Sequence, residues 1–140
     1  DKLATPVGQL AAAALNKQRT KVRKRARHLR KLSIEERHEL RKELKKLRYA
    51  VEFVKPLYSA KKLKPFLKRL KKLQQLFGDL NDAAMAKNRL LQGTIAETDT
   101  KHVQRAIGWI VGASSTRAEI GWEHAQELWK SLKNTSEFWK

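Results

Sequence analysis

Residues 33–58 read SIEERHELRKELKKLRYAVEFVKPLY. Ser33 followed three residues later by Glu36 is a capping box, so a helix is expected to start at Ile34. Leu40, Leu44, Leu47, Val51, Val54 and Tyr58 then recur at helical spacing and mark one buried stripe. Pro56 is expected to kink or fray the last turn. His38, Arg41, Lys45 and Arg48 fall within an arc of roughly 80° on the same helix. That arc lies about 100° or more from the leucine stripe, so it faces away from the core.

The same helical pattern extends in both directions. Upstream, Thr5-Pro6 places an N-cap before a proline at the first helical position. A helix over about 6–32 follows, with Leu15, Val22, Ala26 and Leu29 as its apolar line. Downstream, 59–65 contains the turn into a third helix, whose core face is Phe66, Leu70, Leu73, Phe77, Leu80 and Ala84. Gly93 is expected to end it, and Thr94–Asp99 reads as a loop. The last helix, about 100–133, carries Val103, Ile107, Ile110, Val111, Trp122, Leu128, Trp129 and Leu132. Gly108, Gly112 and Gly121 are positions where it could bend or admit a close neighbour. The expected fold is all-α: one domain over 1–140, an antiparallel up-down four-helix bundle with long helices.

Composition narrows the function. A chain of 140 residues fits one domain. It has no cysteine, which excludes disulfides, thiolate-ligated zinc and thiol catalysis, and fits a cytoplasmic protein. No apolar run approaches the roughly 20 residues of a membrane span, and 10–15 is too short to read as a signal peptide. The net charge is +18, and it is one-sided. Residues 1–72 hold 24 Lys and Arg against 6 Asp and Glu, whereas 73–140 hold 8 of each. Such asymmetry suits a polyanion-binding face; nucleic acid, polyphosphate, sulfated polysaccharide and anionic lipid are the candidate partners.

Two basic lines run along the first helix: Lys17, Lys21, Lys24, His28 and Lys31, and then Arg19, Arg23, Arg27 and Arg30. No acidic residue lies between Asp1 and Glu35 to offset them. Repeated like charges at i, i+4 oppose helix formation, and a bound anion would compensate. Cations three to seven residues apart are about 5–10 Å apart along a helix, a ladder that can follow a flexible phosphate chain. Base recognition would add aromatic or Asn/Gln readers, and Tyr49 is almost alone in that role here. The cations of the neutral half, Lys130, Lys133 and Lys140, are expected to contribute little. Enzymatic readings are thin. His102 and His124 read as surface or packed residues, and neither HExxH nor a GxxxxGK[ST] loop is present. Glu52 reads as a salt-bridge partner of Arg48 at i, i+4. No catalytic residue, metal or cofactor is expected.

His38-Glu-Leu-Arg41-Lys-Glu-Leu-Lys45-Lys46-Leu47-Arg48-Tyr49-Ala-Val-Glu52 resembles the HxLRxxxKKLRYxxE signature of CHAD domains, the conserved histidine α-helical domains. Leu73-Gln74-Gln75-Leu76-Phe77-Gly78-Asp79-Leu80-Asn81-Asp82 resembles their LQxxLGxLND segment, with Phe77 replacing leucine. The ending Ser136-Glu137-Phe138-Trp139-Lys140 resembles their Pro-Phe-Trp-basic run, with Glu137 in place of proline. The resemblance implies a non-catalytic module that binds inorganic polyphosphate, associates with polyphosphate granules and often accompanies a CYTH triphosphatase domain. It implies His38, Arg41, Lys45 and Arg48 as ligands, then His28, Lys24, Arg27 and Lys31. Asn81 and Asp82 read as structural hydrogen-bonding partners. The family typically has two related bundles, and this chain resembles the C-terminal one. It is therefore expected to be a fragment lacking the N-terminal bundle, or a half-length form that dimerises. Non-specific nucleic-acid binding is the second functional reading.

Overall fold

The computed structural model describes residues 5–97 and 101–140. It is all-helical among those residues, with helices α1 (Pro6–Arg25), α2 (Ile34–Val54), α3 (Ala60–Glu97) and α4 (Lys101–Lys133). Short 3-10 turns at Leu29–Lys31 and Lys55–Leu57 follow α1 and α2. α2 packs on α1 and α3, and α4 packs on α3 and on the first 3-10 turn.

The helix starts follow from their caps. The Thr5 hydroxyl accepts from the Gly8 N–H at 3.1 Å, with Pro6 in the first turn. At α2 the capping box is complete: the Glu36 N–H donates to Ser33 Oγ at 3.1 Å, and the Ser33 N–H donates to Glu36 Oε1 at 3.0 Å. α2 ends at Val54, and Pro56 sits in the 3-10 turn that replaces its last turn.

Three boundaries differ from the sequence reading. α1 stops at Arg25 rather than near residue 32, because His28 adopts the left-handed conformation (φ 54°, ψ 46°). The chain then tightens into 3-10 geometry. Its three residues per turn keep Leu29 and Leu32 on one side, and both are buried. α3 begins at Ala60 and contains Pro65. Proline here withholds one ladder bond, from the carbonyl of the water-exposed Lys61, so burial of Leu63, Phe66 and Leu67 prevails. Gly93 does not end α3, which continues to Glu97; Thr98 and Asp99 lie outside the described residues.

The core runs through all four helices. Leu15 and Val22 of α1, Leu40, Leu44, Leu47 and Val51 of α2, and Leu63, Phe66, Leu70, Leu73 and Phe77 of α3 are buried. α4 adds Ala125 and Leu132, with Trp122, Leu128 and Trp129 packed half-buried against the core. The chain end folds back onto it. Phe138 meets Tyr58 and Phe66 edge-on at 5.1 and 5.5 Å, and Trp139 meets Phe66 at 5.3 Å.

Helix length decides which apolar positions stay outside. At 1.5 Å per residue α3 is about 57 Å long, against about 32 Å for α2. Its C-terminal part and the facing part of α4 outrun the first two helices. Ala84 and Ile110, read as core from their spacing, are therefore exposed, as are Met85 and Trp109. The side chains of Val103 and Ile107 lie outside the described residues. Of the three α4 glycines, Gly121 alone meets a close neighbour. A Cβ there would stand 2.5 Å from Leu80 Cδ2, whereas Gly108 and Gly112 face open space.

Candidate functional site

The α2 row faces away from the core only in part. His38 and Lys45 are exposed, while Arg41 and Arg48 are half-buried because they lean toward α3. Arg48 Nε donates to Glu52 Oε1 at 3.2 Å, the expected i, i+4 pair, and its Nη1 donates to Gln74 Oε1 at 3.2 Å. Glu52 also pairs with Lys71 at 3.7 Å. The Arg41 guanidinium passes 3.8 Å from where a Cβ on Gly78 would stand, so the glycine leaves it room over α3. The Lys45 ammonium lies 5.8 Å from the centroid of the exposed Tyr49 ring. This α2–α3 seam thus presents Arg41, Lys45, Arg48 and Lys71, with Glu52 paired to Arg48 and Lys71. Forked guanidinium donors and mobile ammonium charges in such a row suit phosphate oxygens.

The residues of the 24–31 stretch do not join that row. The break at His28 ends the helical arc that spacing assigned to Lys24, His28 and Lys31. Lys24 lies on the side of α1 opposite the buried Val22, and both Lys24 and Lys31 are exposed. Arg27 and His28 turn instead toward α4. There Arg23, Arg27, His28, Lys130 and Lys133 line an open groove of about 640 Å³, with Ala26 and Leu29 at its base and Gln126 and Trp129 on its α4 side. Lys130 and Lys133, expected to contribute little, thus stand in a basic groove. Residue counts by half could not reveal them, since their neighbours come from about a hundred residues away.

One arginine leaves the surface altogether. Arg19 belongs by spacing to the second basic line, but it is buried. It donates to the Lys133 carbonyl at 2.9 Å, pairs with Glu137, and lies 5.9 Å from the Trp139 ring centroid. Trp139 Nε1–H in turn donates to Asn16 Oδ1 at 2.7 Å. Glu137, the residue standing in place of the expected proline, is thus the counter-ion of a buried arginine. In the 73–82 segment, Gln75 donates to Asp79 Oδ1 at 3.1 Å, whereas Asn81 lines a small pocket under Arg37 and Asp82 is exposed.

The CHAD domain family model matches residues 1–91, which include α1, α2 and most of α3. This chain belongs to the CHAD domain family. CHAD domains are helical binding domains associated with polyphosphate. The CHAD match contains the whole α2–α3 seam, whereas Gln126, Trp129, Lys130 and Lys133 lie beyond it. No curated protein and no solved structure matches the chain. Among the described residues no three His, Asp or Glu side chains form a metal-holding group, and no helix is long and apolar enough to cross a membrane.

Proposed function

We propose that this CHAD chain binds inorganic polyphosphate without transforming it, through His38, Arg41, Lys45 and Arg48 on the α2–α3 seam. The observation that carries this reading is the row itself: cations in sequence register on the solvent side of α2, inside the family-matched segment, with Glu52 as the neighbouring carboxylate. The α1–α4 groove, holding Arg27 and His28, adds a second set of contacts, and Lys24 and Lys31 add exposed charge beside it. The helix order and short connections support an antiparallel up-down bundle corresponding to the C-terminal half of a CHAD domain. Its partner bundle is an N-terminal CHAD bundle or a second copy, and the exposed Met85, Trp109 and Ile110 support an unfilled contact there. The setting that family membership supports is cytoplasmic, at polyphosphate granules and beside a CYTH triphosphatase domain.

The test is direct competition at fixed salt between long-chain polyphosphate and nucleic acid, on the parent and on an Arg41→Ala/Lys45→Ala/Arg48→Ala variant. Polyphosphate should win, and the variant should bind it about a hundredfold more weakly with unchanged helicity, about 1 kcal/mol per charged contact. Nucleic acid winning at every salt concentration would reverse the reading. One observation favours that alternative. Tyr49 and Phe53, 56% and 87% exposed, lie one turn apart on α2 beside Lys45 and Lys46, an aromatic pair on which single-stranded bases could stack.

A further inference from the structure

A pocket of about 450 Å³ lies between α3 and α4 at the first turn of α2, within the size range of small-ligand sites, about 300–1,000 Å³. Its walls are apolar: Leu80, Ala83 and Ala84 from α3, Ala118 and Trp122 from α4. Its polar groups are Arg37, Lys87, Arg117, Ser114, Ser115 and Glu119. Three cations from three helices thus surround it with a single carboxylate.

Arg37 is the residue that the fold leaves unexplained. Its guanidinium lies 4.0 Å from the Trp122 ring centroid, and its Nε is buried without a hydrogen-bond partner. It forms no ion pair with a described carboxylate. Burial pulls its pKa below the ordinary arginine value. Buried donors normally find an acceptor, and a half-buried charge normally finds a counter-charge. In the same lining, Lys87 Nζ donates to Ser115 Oγ at 2.7 Å, which holds an ammonium and a hydroxyl together.

We propose that this pocket is a separate site for a small organic phosphate, its dianionic head held by Arg37, Lys87 and the serine hydroxyls and its compact apolar body against Leu80, Ala83, Ala84 and Trp122. Three cations against one carboxylate leave a positive excess matched to a dianion. The apolar walls separate this ligand from an inorganic phosphate chain, which gains nothing by covering them, whereas an ester buries its carbon there. The site does not depend on the polyphosphate reading, because none of its residues belongs to the α2–α3 row or the α1–α4 groove.

Phenyl phosphate is the probe, followed by the Trp122 indole N–H signal in NMR, assigned with Trp122→Phe. Inorganic phosphate and benzyl alcohol supply the anion and the apolar body separately. The expected result is a Trp122 response to phenyl phosphate with affinity about tenfold or more above either control, as joint use of charge and apolar area requires. Arg37→Gln and Lys87→Gln should each weaken it about tenfold, one charged contact apiece, and Arg41→Gln should not. If Arg37→Gln loosens the α2–α4 contact, Lys87→Gln and Arg117→Gln test the site from the other two helices. Equal affinity for phenyl and inorganic phosphate, silence of Trp122 at millimolar probe, or full displacement by long-chain polyphosphate would each overturn the proposal.

Discussion

His28 and Arg19 show how far a residue's role can depart from its place in a charge pattern. Left-handed backbone costs a non-glycine residue about 1–2 kcal/mol, and glycine removes that cost while losing about 0.5–1 kcal/mol of unfolded-chain entropy. His28→Gly should therefore raise stability by roughly 0.5 kcal/mol while weakening polyphosphate binding. Urea unfolding and a binding titration on one sample check both, and undiminished binding would make His28 a turn residue only. Arg19 behaves oppositely. Its charge sits under the folded-back chain end, with Glu137 and the Lys133 carbonyl as partners. Arg19→Ala should cost about 2 kcal/mol by leaving the Lys133 carbonyl unbonded and Glu137 with Lys140 as its remaining counter-charge, whereas the exposed Arg23→Ala should stay within about 0.5 kcal/mol. Equal losses from the two would show that the Arg19 pair adds nothing. Nothing local distinguishes these two arginines, which are four residues apart on one helix.

At the level of elements, the capping box and one glycine carry the clearest consequences. The Ser33 N–H, with its hydroxyl, holds the Glu36 carboxyl below its ordinary value. A lowered folded-state pKa adds stability above the unfolded value, near 4.5, and that part is lost as pH falls through the folded value. The stability gap between the parent and Glu36→Gln should thus be full at pH 6 and close toward pH 3, as followed by urea midpoints; a gap independent of pH would assign the box to geometry alone. Gly121 permits α4 to approach Leu80. Gly121→Ala should cost about 0.5–1 kcal/mol net, overpacking against Leu80 outweighing the helix-propensity gain, while Gly112→Ala, facing open space, should gain somewhat under 1 kcal/mol from propensity alone. Thermal melts of the two variants should move in opposite directions, and a shared direction would mean that the α3–α4 contact tolerates a methyl.

Over the whole molecule, the proposed polyphosphate contacts are divided between the α2–α3 seam and the α1–α4 groove. Binding a polyanion displaces counterions, by about 0.7 of an ion per phosphate contact on a flexible chain. Removing Arg41, Lys45 and Arg48 together should flatten the slope of log affinity against log salt by about 2, and removing Lys130 and Lys133 by about 1. An unchanged slope in the second variant would take the α1–α4 groove out of polyphosphate binding. The sequence by itself determined what is periodic and local. The caps at Thr5 and Ser33, the stripe from Leu40 to Val51, the pair Arg48–Glu52 and the cation row on α2 all involve residues within a few turns of one another, where helix geometry fixes the spacing. The tertiary structure alone decided what depends on which helices meet and where they end. It buried Arg19, brought Lys130 and Lys133 to Arg27 and His28, left Arg37 without a partner over Trp122, and exposed Ile110 because α3 and α4 outrun the helices that would have covered it. Those outcomes depend on contacts between residues far apart in the chain, and helical periodicity carries no information about them.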